Sequence, residues 1–216
     1  MLLVDDHSVV REGIRKVLAP LTPQWEMHDA EDARAALERL RQQHFDLVVL
    51  DISLPGMSGL ELIPRLRNLY PALAILVLTM HSEEHYALRV LEAGARGYLT
   101  KNNAATELVR AVQRVSSGGL YLPAGLAEHV VQRMLGQRPE PRMDQLSNRE
   151  LDIFQRIIDG HRLTDIAQTM HLSIKTVSTY KRRIQEKLQV ESTAALIRFG
   201  LEYRGALGAR ATEDPA

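Results

Sequence analysis

Asp5, Asp6, Asp51, Thr79 and Lys101 are of the types needed to handle a phosphoryl group. Three carboxylates brought together repel one another, and such clusters persist by binding a divalent cation or by holding a proton. A small set of oxygen donors suits Mg²⁺, which keeps several of its waters and favours phosphate oxygens. A carboxylate beside such an ion can attack phosphorus and form an aspartyl phosphate. An ammonium would pair with the phosphoryl oxygens, and a hydroxyl could donate a hydrogen bond to one of them. The chemistry depends on whether the chain brings these residues together.

The pattern around them predicts that it does. Short apolar runs at Met1–Val4, Trp25–His28, Leu47–Leu50, Ile75–Leu78 and Tyr98–Leu99 alternate with amphipathic stretches near Ser8–Leu18, Asp32–Arg41, Leu60–Asn68, Glu83–Ala93 and Ala105–Val115. This rhythm implies an α/β domain: a doubly wound, five-stranded parallel sheet with helices on both faces. Leu47-Val48-Val49-Leu50 is apolar throughout, as expected of a strand buried on both sides. Open parallel sheets bind ligands beyond the carboxyl ends of their strands. Asp5 and Asp6 follow the first strand, Asp51 the third, Thr79 the fourth and Lys101 the fifth, so all five should meet at one edge. A lone Asp there could be a helix cap; five convergent residues suit an active site better.

Leu2-Leu3-Val4-Asp5-Asp6-His7, the run Asp51-Ile-Ser-Leu-Pro-Gly-Met-Ser-Gly59, Thr79 and Gly94-Ala-Arg-Gly-Tyr-Leu-Thr-Lys101 resemble the receiver domains of two-component response regulators, with a flavodoxin-like fold, over residues 1–118. The resemblance implies that Asp51 accepts a phosphoryl group from a histidine kinase. It also implies that Asp6, Asp51 and the Ser53 backbone carbonyl hold Mg²⁺, with Asp5 helping through water, and that Tyr98 moves inward with Thr79 on activation. Receivers usually have a few residues before the first strand, whereas this chain begins inside it. Either a frayed first strand or an upstream start is therefore expected. Haloacid-dehalogenase-type enzymes also form aspartyl phosphates, but they carry a D-x-D nucleophile after strand one. Here the two acids are adjacent, and Asp51 heads a Pro-Gly turn. His81-Ser-Glu-Glu-His85 fits a zinc-peptidase pattern. With no third ligand suggested nearby, it reads as a variable loop whose His81 lines the pocket.

Residues 119–142, with Gly119, Pro139 and Pro141, read as a linker containing a helix near Pro123–Met134. An all-α, four-helix domain over 143–204 is predicted from Ser147–Ile158, Leu163–Met170, Ile174–Leu188 and Ser192–Tyr203. Ser147 and Glu150 have capping-box spacing, and His171-Leu172-Ser173 is the turn of a helix-turn-helix. A disordered tail is expected over 205–216. Lys175, Lys181, Arg182, Arg183 and Lys187 form a basic stripe, opposed only by Glu186 within residues 175–187. Such a stripe is a solvated helix face or a polyanion contact. Ile174, Val177, Ile184 and Leu188 repeat at helical spacing and should face the core.

The span from Leu146-Ser-Asn-Arg-Glu-Leu151 through Ile166-Ala167, Leu172-Ser173, Thr176-Val-Ser-Thr-Tyr-Lys181 and Lys187-Leu-Gln-Val190 resembles the LuxR-type helix-turn-helix. Many members carry Lys and His where this chain has Ser178 and Tyr180, a difference that touches which DNA is read. The resemblance implies that Ser178, Thr179 and Arg182 face base edges in the major groove. It assigns Lys175, Tyr180 and Lys181 to phosphates, with Thr176 completing the DNA-binding set. The whole would be a phosphorylation-controlled transcriptional regulator of the NarL/FixJ type, dimerising on activation to bind double-stranded promoter DNA. It would lose its phosphoryl group slowly and would be a switch rather than an enzyme.

Composition agrees. With 45% hydrophobic and 25% charged residues, a packed core is expected. The net charge of zero conceals 13 Lys/Arg against 15 Asp/Glu over residues 1–118, and 10 against 8 over residues 143–204. The absence of cysteine excludes disulfides and thiolate metal sites and suits the cytoplasm. No run approaches the length of a membrane span, and the apolar Met1–Val4, followed at once by Asp5-Asp6, is not expected to act as a secretory signal.

Overall fold

The computed structural model describes residues 1–21, 25–80, 84–123, 126–127 and 142–210, with the backbone alone at 84–85, 142, 144 and 204–210. The chain divides into two compact units, Met1–Val131 and Gln132–Ala216.

In the first unit β1 (Leu2–Val4), α1 (Ser8–Leu18), β2 (His28–Ala30), α2 (Ala33–Gln42), β3 (Leu47–Leu50), α3 (Gly59–Leu69), β4 (Ala74–Thr79), α4 (Glu84–Glu92), β5 (Gly97–Thr100) and α5 (Ala104–Ser116) follow in order. The sheet is parallel throughout, in the order β2-β1-β3-β4-β5. This is the flavodoxin-like arrangement. Alternation along the strands divides the core. Leu3, Leu47, Val49, Leu76, Leu78 and Leu99 pack on Ile14 and Leu18 of α1 and on Leu108, Ala111, Val112 and Val115 of α5. Their neighbours Leu2, Val4, Val48, Leu50, Ile75 and Val77 are equally buried, toward the opposite face.

The first strand is not frayed. Leu2, Leu3 and Val4 pair with both β2 and β3, and the Met1 ammonium donates to the Glu26 carbonyl at 2.8 Å. The second strand lies further along than the apolar run Trp25–His28 suggests, beginning at His28. Register with β1, Leu2 opposite His28 and Val4 opposite Ala30, determines this edge strand. Trp25 and Met27 instead pack against the core from outside the ladder.

Sequence places a linker from residue 119, but the chain does not leave the sheet there. Tyr121 N–H donates to the Arg96 carbonyl and Tyr98 N–H to the Tyr121 carbonyl, each at 3.0 Å, making a short parallel bridge beside β5. The expected helix Pro123–Met134 lies almost wholly outside the described residues.

The second unit contains α6 (Asn148–Ile158), α7 (Leu163–Thr169), α8 (Ile174–Leu188) and α9 (Thr193–Arg210). Ser147 caps α6 in the capping box anticipated with Glu150. His171, at φ 52°, takes the left-handed conformation that turns the chain between α7 and α8. Ser173 then caps α8, accepting from the Thr176 N–H at 3.0 Å. The helix α9 runs to Arg210, so the tail expected from Gly205 begins as helix. Residues 211–216 lie outside the described residues.

Candidate functional site

The carboxyl ends of β1, β3, β4 and β5 bring the acidic residues, Thr79 and Lys101 together as the topology requires. Asp5 and Asp51 are buried, at 2% and 3% exposure. The Lys101 ammonium joins them, 2.6 Å from Asp5 Oδ2 and 2.6 Å from Asp51 Oδ2. Burial opposes the charge on Lys101, but the two carboxylates hold its ammonium above the usual lysine range. The Ser53 N–H donates to Asp51 Oδ1 at 3.2 Å, holding the carboxylate from its own loop. Behind that loop, Gly59 N–H donates to the Ile52 carbonyl at 2.8 Å. A Cβ on Gly59 would collide with the Asp51 backbone carbonyl, so a residue without a side chain is needed there.

Thr79 ends β4 and Tyr98 lies in β5, both with no exposure. Tyr98, expected to move inward on activation, is already inside in this conformation. His81 and the zinc-peptidase-like stretch fall outside the described residues, apart from the backbone of Glu84 and His85.

Asp6 is the more accessible acid, its side chain 29% exposed, with His7 Nδ1 2.7 Å from its Oδ1. Among the described residues, ligand atoms of Asp5, Asp6 and His7 lie within 4.8 Å of one another. Asp51, expected with Asp6 to hold the metal, is joined to Asp5 through Lys101. Two of the three donors are carboxylate oxygens and none is a thiolate, a chemistry that fits a hard divalent cation such as Mg²⁺. Sequence reasoning did not assign His7.

In the second unit, Val177, Ile184 and Leu188 of α8 are fully buried. Ile174 is not: predicted to face the core, it is 52% exposed. Helical spacing sets the direction of a side chain, but burial needs an element opposite it, and among the described residues none covers Ile174 at the first turn of α8. Lys175, Thr179, Arg182 and Arg183 are exposed, whereas Thr176, Ser178, Tyr180 and Lys181 are half-buried. Several already have partners. Thr176 Oγ1 lies 2.7 Å from Ser173 Oγ, and Thr179 Oγ1 donates to the Lys175 carbonyl at 2.9 Å, leaving its lone pairs outward. Lys181 Nζ donates to Thr193 Oγ1 at 3.3 Å, and Arg182 Nε lies 3.4 Å from Glu186 Oε1. Lys187 leaves the stripe altogether: its ammonium is 2.6 Å from Glu150 Oε2, on α6.

Residues 1–113 match the response regulator receiver domain, and residues 144–199 match the luxR family of bacterial regulatory proteins. The chain is 35% identical over 206 residues to the response regulator UvrY of Escherichia coli K12, covering 93% of this chain and 94% of that one. It belongs to the response regulators. It carries a receiver and a LuxR-type DNA-binding domain, the NarL/FixJ arrangement, and is a DNA-binding transcriptional regulator of a two-component system. Among solved structures, this regulator resembles RcsB of Salmonella enterica serovar Typhimurium bound to promoter rprA in the presence of phosphomimetic BeF3⁻. The TM-score there is 0.62, with 27% identity, over 92% of this chain and 96% of that chain. A structure of two RcsB dimers bound to two parallel DNAs gives a TM-score of 0.56 with 27% identity, over 92% and 95% of the two chains. Among the described residues, no helix of the regulator is long and apolar enough to cross a membrane.

Proposed function

We propose that Asp51 is the phosphoacceptor for a sensor histidine kinase, and that its modification favours a homodimer which binds promoter DNA through α8. The observation that carries this is Lys101, held 2.6 Å from both Asp51 and Asp5 at the carboxyl edge of the sheet. An ammonium so placed can pair with phosphoryl oxygens once Asp51 is modified. Asp6, Asp51 and the Ser53 carbonyl would hold Mg²⁺, with Asp5 acting through water; when bound, Mg²⁺ would neutralise charge on the phosphoryl oxygens. The Thr79 hydroxyl and the Tyr98 ring are the switch pair. The protein works as a cytoplasmic switch with slow self-dephosphorylation, and turns over no metabolite. The receiver role belongs to residues 1–118, extended by the bridge at Tyr121, and DNA binding to residues 143–204.

The RcsB complexes, on promoter DNA and as dimers, support the DNA and dimer parts of this reading. On α8, Ser178, Thr179 and Arg182 would read bases; Lys175, Tyr180 and Lys181 would meet phosphates, and Thr176 would stabilise the helix start beside them.

The test is incubation with Mg²⁺ and a small phosphodonor. Wild type should gain the mass of one phosphoryl group and Asp51→Asn should not; an equal gain in both would refute the assignment. Sedimentation should show the modified protein dimerising, with tighter promoter binding in gel shifts.

A further inference from the structure

Asp5 and Asp6, two acids of the site, are adjacent in sequence, so the peptide unit between them sets how their carboxylates diverge. The carbonyl of that peptide is held by a residue with no assigned part in the chemistry. Arg11, one turn into α1, donates from Nη1 to the Asp5 carbonyl oxygen at 2.5 Å. Its side chain is only 14% exposed. Arg11 Nε lies 3.3 Å from Asp29 Oδ2, within ion-pair distance but not aligned for a hydrogen bond. Asp29 is in β2, opposite Leu3. Its other oxygen is taken by Arg15 Nη2 at 2.6 Å, and Arg15 Nη1 donates to the Met27 carbonyl at 3.1 Å. On the far side of the same residue, the Asp5 N–H donates to the Ala30 carbonyl at 3.1 Å.

We infer that Arg11 is a positioning residue for the cation site: braced on Asp29, it fixes the Asp5–Asp6 peptide plane and so aims both carboxylates. The inference rests on the proposed Mg²⁺ role of this site. Its sign separates positioning from charge. As a cation near two anions, Arg11 opposes Mg²⁺ electrostatically, so on charge alone its removal would tighten binding. As the brace of the peptide, its removal loosens the carboxylates and weakens binding. Losing an outer partner that orients metal ligands typically costs about tenfold or more in metal affinity.

The experiment is isothermal titration of the full-length protein with Mg²⁺, comparing wild type, Arg11→Gln, Arg11→Lys and Asp29→Asn, with a thermal melt of each. Arg11→Gln should raise the Mg²⁺ dissociation constant about tenfold. Arg11→Lys, which keeps the charge but cannot span both partners, should raise it too. Asp29→Asn, which keeps Arg11 and releases its anchor, should give a smaller rise, and it remains informative if the Arg11 variants fold poorly. Phosphorylation by a small donor should recover toward the wild-type rate at saturating Mg²⁺. An unchanged or tighter dissociation constant in folded Arg11→Gln and Asp29→Asn, with wild type binding normally, overturns this inference alone. A wild type that binds no Mg²⁺ overturns it together with the proposed phosphorylation chemistry.

Discussion

Glu150 accepts two hydrogen bonds on a single carboxylate oxygen, from Lys187 Nζ at 2.6 Å and from the Ser147 N–H at 2.7 Å. The first joins α6 to the far end of α8; the second closes the cap of α6. One carboxylate thus ties the start of the DNA-binding unit to the helix that would enter the groove.

Burial pushes the Glu150 carboxyl up, but Lys187 and Ser147 outweigh it and leave its pKa below the usual value. A depressed carboxylate stabilises the fold above its unfolded pKa, and the contribution is lost as pH falls through the folded one. The DNA-binding unit should therefore lose stability on acidification below the ordinary carboxylate range. Glu150→Gln should lower stability by about 1–3 kcal/mol at neutral pH and flatten that acid dependence. Urea denaturation at several pH values measures both.

Tyr121 should show the opposite dependence. Burial, then its 2.6 Å hydrogen bond to Glu107, pushes the phenol up to about 12. A raised pKa means stabilisation that is full below the unfolded value, near 10, and lost as pH climbs toward 12. The difference in phenolate absorbance between wild type and Tyr121→Phe should develop late in that interval. Tyr121→Phe should cost about 1 kcal/mol at neutral pH, and a difference titration centred at the ordinary phenol value would contradict a buried phenol hydrogen-bonded to Glu107.

Gly59→Ala should distort the loop that carries Asp51, the proposed acceptor. The atoms a Cβ would meet are backbone atoms of Asp51 and Ile52, which cannot swing aside as a side chain can. Overpacking of this kind costs about 1–3 kcal/mol. Here it displaces the carboxylate itself, so phosphorylation should fall further than the melting temperature suggests. A variant phosphorylated at the wild-type rate would show that the loop can shift freely.

On DNA, Arg182→Ala should weaken specific binding by about 1–3 kcal/mol if the guanidinium makes a bidentate base contact. Its surface pair with Glu186 is 75% and 63% exposed and offers little resistance to release. Lys181→Ala should weaken all sequences alike and flatten the salt dependence. Equal losses on cognate and scrambled duplexes for both variants would contradict the division of roles.

The amino-acid sequence by itself determined the alternation of strands and helices, the edge at which Asp5, Asp51, Thr79 and Lys101 meet, the helix-turn-helix, and the capping box of Ser147 and Glu150. These follow from local periodicity, from capping chemistry, and from the rule that parallel strands present their carboxyl ends together. Only the tertiary structure decided the rest. It put β2 at His28–Ala30 and not on the apolar run, because an edge strand is placed by backbone register with its neighbour. It turned Lys187 inward to Glu150 and left Ile174 uncovered, although both sit on the helix where spacing places them. It carried Tyr121 back onto β5 and braced Arg11 against Asp29, contacts between segments whose separation in sequence leaves no periodic trace. Periodicity within an element tells a side chain which way to point; what it meets there depends on elements folded in from elsewhere in the chain.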